Sequence, residues 1–297
     1  MVLNIKRYRL LLALSFLTFA LPGFAWNALG HMLVAQIAYD TLPPSSAARA
    51  QMDILTDIIA STYWKSNTFP SAGPWADDLR NHGVNVFNTW HYIDINFSQD
   101  NTPFPSTPPE VNVAWAIEES VNILKSKYSL KVEKASALQM LSHLVADIHQ
   151  PLHAASRYSK DNPSGDAGGN GFALHYKDPA GRYYYNLHSL WDSAVGSMPL
   201  SVKRPLKKGR EEKVQAHAKK WMAAFPDLPT DRRLDIVDPF KWSAESHEIA
   251  RKRAYHGIEP DTTPANEYIA TNTYYAQEQI VLAGYRLANL LKEIYPD

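Results

Sequence analysis

Twice in this 297-residue chain a histidine stands four residues ahead of an aspartate inside apolar, helix-compatible sequence. The pairs are His143/Asp147 in HLVADIHQPLH and His188/Asp192 in NLHSLWD. Residues i and i+4 share one face of an α-helix, so each stretch presents an imidazole and a carboxylate side by side. Leu187, Leu190 and Trp191 give the second stretch apolar surface to bury. Burying a histidine and an aspartate beside it is costly unless the two are paired or hold a metal. The residues leave both readings open: hydrogen-bonded His–Asp pairs, or ligands for Zn²⁺, which takes nitrogen and oxygen donors. His149 points elsewhere if its helix continues, and Pro151 marks a change of direction that can return His153 to the same cleft.

The helical reading extends along most of the chain. Helices are predicted over Ala28–Tyr39, Ala47–Thr62, Val111–Lys127, Val132–Gln150, Asn186–Val195, Glu211–Phe225, Ser243–Tyr255 and Ala265–Tyr295. The last follows Pro264, a helix-start residue, and is long enough to contain a break. Loop-like sequence with Pro70, Gly73 and Pro74 leads to Trp75; Thr89–Ile95 reads as a short extended run, and Ser159–Gly171 as a polar glycine-rich loop. Several helices and few strands define an all-α, multi-helix fold. With no repeat and no linker to force a division, residues 26–297 read as one domain.

Residues 1–25 read as a signal peptide. Lys6, Arg7 and Arg9 open it, Leu10 to Leu21 is almost wholly apolar but short for a membrane span, and Gly23-Phe24-Ala25 supplies a small-x-small cleavage site. The alternative is an uncleaved anchor. Cleavage places the mature protein in the periplasm or outside the cell, begins it at Trp26, and shifts the formal charge from zero to −3, because the leader carries three basic residues and no acidic one. Global charge then attracts a polyanion little, whereas a bound cation dominates the field in its own site. The mature chain has no further stretch long and apolar enough to span a bilayer. With no cysteine, disulfides and thiolate ligands are excluded, and any metal is held by imidazole, carboxylate, water or backbone atoms.

Two upstream stretches add ligands: WADDLR, with Asp77 and Arg80, and WHYIDI, with His91, Tyr92 and Asp94. Together with the later pairs they suffice for more than one ion. No single helix face collects them all, but facing helices of a bundle do. Cleavage before Trp26 frees an α-amine that can chelate a cation together with the same residue's carbonyl oxygen, and His31 lies within reach of that ion. Export and metal-site assembly are then coupled. His82, His149, His175, His217, His247 and His256 are left to packing or surface roles, Trp64, Trp115, Trp221 and Trp242 to core or cleft, and the basic run Lys203–Arg210 to a solvated loop.

WNALGH, WADDLR, WHYIDI, HLVADIHQPLH and NLHSLWD, in this order from Trp26 to Asp192, resemble the zinc-dependent type I nucleases, the secreted single-strand nucleases of fungi and plants that also have bacterial members. Bacterial zinc phospholipase C looks like a more distant relative. The resemblance implies a buried cluster of three Zn²⁺ ions. Asp77, His91 and His143 would hold one; Asp147 would bridge it to a second, completed by His31 and the amine and carbonyl of Trp26; His153, His188 and Asp192 would hold the third. It further implies catalytic roles for Asp94, Arg80 and the bridging Asp147, a phosphate contact at Arg80, and a base contact at Tyr92. The chain departs from the family at Ala146, where glycine is common, and in lacking the cysteines of the fungal members. Asn96-Phe97-Ser98 fits a glycosylation acceptor.

The chemistry so implied is hydrolysis of phosphodiesters in single-stranded DNA and RNA to 5′-phosphate products, with 3′-nucleotidase action on nucleotides as an extension. Closely spaced zinc ions offset phosphate charge and lower the pKa of bound water toward ~7. The alternatives are a zinc phospholipase C acting on lipid headgroups and a zinc-binding structural protein without catalysis. No protein partner is called for, and a monomer is expected.

Overall fold

The computed structural model describes residues 26–198 and 202–297. The signal-peptide reading of residues 1–25 lies outside the described residues. The fold is mostly helical, and among the described residues no helix is long and apolar enough to cross a membrane.

Helix α1 (Ala28–Thr41) is buried from Leu29 to Ala38 and is started by the Asn27 side chain, which accepts from the Leu29 and Gly30 amides. A helix apolar on nearly every side belongs at the centre of a bundle. Helix α6 (Lys131–Ile148) is likewise buried from Ala137 onward. Around this pair lie α2 (Ala47–Ala60), α5 (Val113–Lys125), α8 (Lys208–Ala224), α9 (Pro239–Ile249) and α10 (Asn266–Ile294). Helix α10, long enough to contain a break, has none: its 29 residues run on for about 44 Å at 1.5 Å each. Its Gly284 lets α1 approach closely, since a Cβ there would sit 2.5 Å from Ile37 Cβ. The predicted helix over Ser243–Tyr255 begins earlier, with Pro239 in its first turn behind the Asp238 cap, and ends in a π-helical turn over Ala250–Ala254.

Several local expectations are corrected. The sequence from Pro70 to Trp75 is helical on both sides of Gly73: α3 (Phe69–Ala72) begins with Pro70 in its first turn, capped by Thr68, and α4 (Trp75–Asn81) carries Asp77 and Arg80. Proline here starts a helix rather than marking a loop. The extended run over Thr89–Ile95 is a 3₁₀ turn at Asn88–His91, after which the chain extends; only Asn96–Ser98 forms strand β1. Its partner, β2 (Ser156–Tyr158), pairs in parallel with Asn96 opposite Ser156. Finally, Lys203–Arg210 is not a solvated loop throughout. Arg204 folds inward onto Asp78 at 2.7 Å, and α8 already starts at Lys208. Trp64, expected in core or cleft, is 62% exposed, whereas Trp221 and Trp242 are buried and Trp115 half-buried.

A hairpin of β3 (Ala173–Lys177) and β4 (Tyr183–Asn186) feeds directly into the short helix α7 (Leu187–Asp192). Asn186 caps α7 by accepting from the Ser189 amide. The predicted continuation to Val195 fails because Ala194 and Val195 turn to positive φ.

Candidate metal centre

Four parts of the chain meet at the inner end of α6. His143 and Asp147 face the same way, one helical turn apart, with His143 Nε2 3.2 Å from Asp147 Oδ2. Helix α1 brings His31, whose ring stacks on His143 at 3.9 Å and whose Nε2 lies 3.5 Å from Asp147 Oδ1. Helix α4 brings Asp77, 3.8 Å from His31 and 3.9 Å from His143. The 3₁₀ turn brings His91, whose Nδ1 lies 3.0 Å from Asp147 Oδ2 and 3.1 Å from His143 Nε2.

The parallel ladder aligns the second half. The Ile93 amide donates to the His153 carbonyl and the Ser156 amide to Ile95, so the segment after His91 runs beside the segment after α6. A 3₁₀ turn over Pro151–Ala154 redirects the chain at Pro151, as expected, and sets His153 5.0 Å from the His188 ring. In α7, His188 Nε2 and Asp192 Oδ1 are 3.5 Å apart across one turn. Three groups have ligand atoms mutually within 4.8 Å: His31, His143 and Asp147; Asp77, His91 and His143; and His153, His188 and Asp192. Every side-chain ligand singled out from the sequence lies in one of them.

The arrangement has the donor chemistry of a cation site. His143, His153 and His188 each donate Nδ1–H to a backbone carbonyl, of Gly73 at 2.8 Å, His91 at 2.6 Å and Gly168 at 2.6 Å. A carbonyl only accepts, so each ring carries a proton on Nδ1, and Nε2 is the nitrogen it turns toward the cluster and can offer as a ligand. Both ring nitrogens of His31, Asp147 Oδ1 and His153 Nε2 are buried without a hydrogen-bond partner. Buried polar atoms are seldom left so.

Charge tells the same story. Burial pushes the Asp192 carboxyl well above its ordinary range, helped by repulsion from Asp77 and Asp147, although Gln150 opposes it. Burial acts against charge on His143, yet the Asp147 and Asp77 carboxylates outweigh it and raise the ring to about 9. The same burial and His143 hold the His31 ring well below its usual range. Three buried carboxylates thus share the positive charge of the His143 ring and of Arg80, which is paired with Asp77. Asp77, Asp147 and Asp192 with five imidazole nitrogens suit Zn²⁺.

Trp26 is fully buried, and its indole N–H donates to the carbonyl of Ala146, the residue before Asp147. The Asn27 amide donates to the Asp192 carbonyl. The start of the described chain is therefore pinned between α6 and α7. Arg80 donates to Asp77 at 3.1 Å. It lines a cleft of about 220 Å³ with His91, Tyr92, Asp94, His153, Asn170 and His188. Tyr92 is 36% exposed at the rim. Burial, then repulsion from Asp166, pushes the Asp94 carboxyl up to about 6. A larger cavity of about 390 Å³, beside Tyr39 and Arg49, contains no histidine.

Three contributors escaped the sequence reading. Gln150, fully buried, donates to Asp192 Oδ1 at 2.8 Å and accepts from the Leu152 amide. Gly168, at φ +64°, turns its carbonyl onto His188, and a Cβ there would lie 2.3 Å from the Leu152 carbonyl oxygen. Ser246 donates to the Ile148 carbonyl and so closes the end of α6. The glycine-rich loop holding Gly168 was a visible signal; the other two were not. His149, left unassigned, donates Nδ1–H to Val145 and accepts from Arg286, which leaves no lone pair for a metal.

The chain matches known nucleases over its length. It is 28% identical to Nuclease S1 of Aspergillus oryzae, covering 94% of this chain and 95% of that protein. It is 25% identical to Nuclease P1 of Penicillium citrinum, covering 91% and 98%, and 24% identical to Endonuclease 1 of Arabidopsis thaliana, covering 92% and 88%. The S1/P1 nuclease family profile matches residues 26–296. The chain therefore belongs to the S1/P1 nuclease family, enzymes that hydrolyse phosphodiester bonds.

Proposed function

We propose that residues 26–297 form an exported, zinc-dependent, monomeric nuclease that cleaves single-stranded DNA and RNA to 5′-phosphate products, with 3′-nucleotidase action at the same site. The observation that carries the metal reading is the convergence of buried, unpartnered ligand atoms of His31, Asp147 and His153. Asp77, His91 and His143 would hold one ion, Asp147 with His31 and the Trp26 amine and carbonyl a second, and His153, His188 and Asp192 a third. Zinc, when bound, supplies Lewis-acid polarisation of a phosphoryl oxygen and a low pKa for water.

The chain's own groups do the rest. Arg80, oriented by Asp77, meets a non-bridging phosphate oxygen as its charge grows. Asp94 accepts the proton of the attacking water. Tyr92 offers a ring face at the rim, where an unpaired base can stack while its phosphate reaches the floor. A base held in a duplex has no such freedom.

The discriminating experiment sets the metal-loaded mature protein against single-stranded DNA, RNA, duplex DNA and phosphatidylcholine vesicles. Cleavage of the single strands ahead of the duplex, with 5′-phosphate ends, is the expected result. Lipid hydrolysis without nucleic-acid cleavage would overturn the reading.

Cleavage before Trp26 converts its amide nitrogen into an amine. A mature protein carrying one extra N-terminal alanine should lose about one zinc per chain, read by metal analysis after gel filtration. Unchanged zinc content would remove the N-terminal chelate from the proposal.

Asp94 acts deprotonated, so kcat/KM should rise with pH through its pKa. Burial and then repulsion from Asp166 set that at about 6, and bound cations would stabilise the carboxylate, moving the acidic limb below 6. Asp94→Asn should abolish this limb and lower kcat/KM by roughly 10²- to 10⁴-fold. A variant retaining the limb would show that another group takes the proton.

A further inference from the structure

The link between α5 and α6 holds large apolar side chains out in water. Tyr128 is 83% exposed, Leu130 63% and Val132 54%, with Ile123 exposed beside them. The tip is a shaped turn: Ser126 Oγ accepts from the Tyr128 amide, and the Glu133 carboxylate accepts from the Leu130 amide to start α6. Four lysines surround it, Lys125, Lys127, Lys131 and Lys134, against one glutamate in the same stretch. Lys125 is paired to Glu293, and Lys127 reaches over the Tyr128 ring at 5.1 Å.

An apolar tip within a ring of lysines matches the boundary between acyl chains and anionic headgroups. Tyrosine places a ring in the headgroup layer, leucine and valine enter below it, and lysine stems lie along apolar surface while their ammonium groups meet phosphate. A second copy of the chain would bring like charge against like. A nucleic acid would use the lysines but leave Leu130 and Val132 without a ring to stack on. We propose that this tip docks the protein peripherally on an anionic phospholipid surface. Twelve residues of helix, about 18 Å, separate Lys131 from His143. None of the tip residues lines the cleft, so docking the tip does not use the groups of the site.

The test is flotation of the mature, metal-loaded protein with vesicles of phosphatidylcholine alone or mixed with phosphatidylglycerol, at physiological salt. The protein should float with the mixed vesicles and not with the neutral ones. Tyr128→Ser/Leu130→Ser should abolish flotation, and Lys127→Gln/Lys131→Gln should weaken it about 25-fold, roughly fivefold per lysine. Both variants should cleave a soluble oligonucleotide at the unaltered rate. The proposal is overturned if the parent protein does not float, or if both variants float as well as it does. It is also overturned if the parent forms a dimer that the serine variant splits while neither binds vesicles. Binding of a nuclease-resistant oligonucleotide lost in the lysine variant and kept in the serine variant, without flotation of the parent, would reassign the tip to nucleic acid.

Discussion

With the three zinc ions proposed above in place, Asp147→Asn is expected to strip the protein of about two of them and to lower kcat/KM for single-stranded DNA by roughly 10³-fold, equivalent to about 4 kcal/mol of transition-state stabilisation. Asp147 is fully buried and touches three imidazoles: Oδ2 lies 3.0 Å from His91 and 3.2 Å from His143, and Oδ1 lies 3.5 Å from His31. Burial opposes its charge, yet the neighbouring histidines keep the carboxyl well below the usual carboxylate range. Asparagine keeps the shape and removes both the charge and one acceptor oxygen. Of two ions sharing this residue, one would lose its bond and the other would keep only a neutral amide oxygen, whereas the group of His153, His188 and Asp192 would keep its own ligands. Metal analysis should then read about one zinc per chain, with a far-ultraviolet spectrum unchanged. Full metal content with normal cleavage would end the bridging assignment.

Gly284→Val should lower stability by about 3 kcal/mol, seen as a lower denaturation midpoint both with and without a chelator. A Cβ at this position meets Ile37 Cβ and Cγ2 at 2.5 Å and the Val34 carbonyl oxygen at 3.2 Å. Ile37 is β-branched and confined to few rotamers in a helix, so α1 itself has to move. Gly284→Ala should cost less, because alanine recovers up to about 1 kcal/mol of helix propensity. His31 lies on the same helix six residues before Ile37, so the valine variant should also bind zinc more weakly. A midpoint equal to that of the parent would show that the crossing has slack.

These two substitutions probe different kinds of legibility. Asp147 announces itself: a histidine four residues away, in an apolar helix, leaves few explanations for a buried carboxylate. His188 and Asp192 do so too. Gly284 looks in the sequence like any glycine in a long helix, because its meaning lies in Ile37, 247 residues earlier in the chain. Gln150 is equally silent. Only the packing of α7 against the turn after α6 reveals that its amide holds Asp192. Arg204 read as part of a basic surface run until Asp78 claimed it. The 3₁₀ turn at Asn88–His91 was hidden because aromatic and β-branched residues favour strands on average, while here Trp90 packs edge-on against Phe87 and Trp115.

The sequence by itself determined the helical class, the inward-facing His–Asp pairs and the ligand types available to a chain without cysteine, because periodicity and donor chemistry are local properties. The tertiary structure alone decided which ligands share a neighbourhood, which ring nitrogen each histidine turns inward, and how closely α1 and α10 cross. Those depend on contacts between residues far apart in the chain, where a single backbone carbonyl or a missing Cβ sets the geometry.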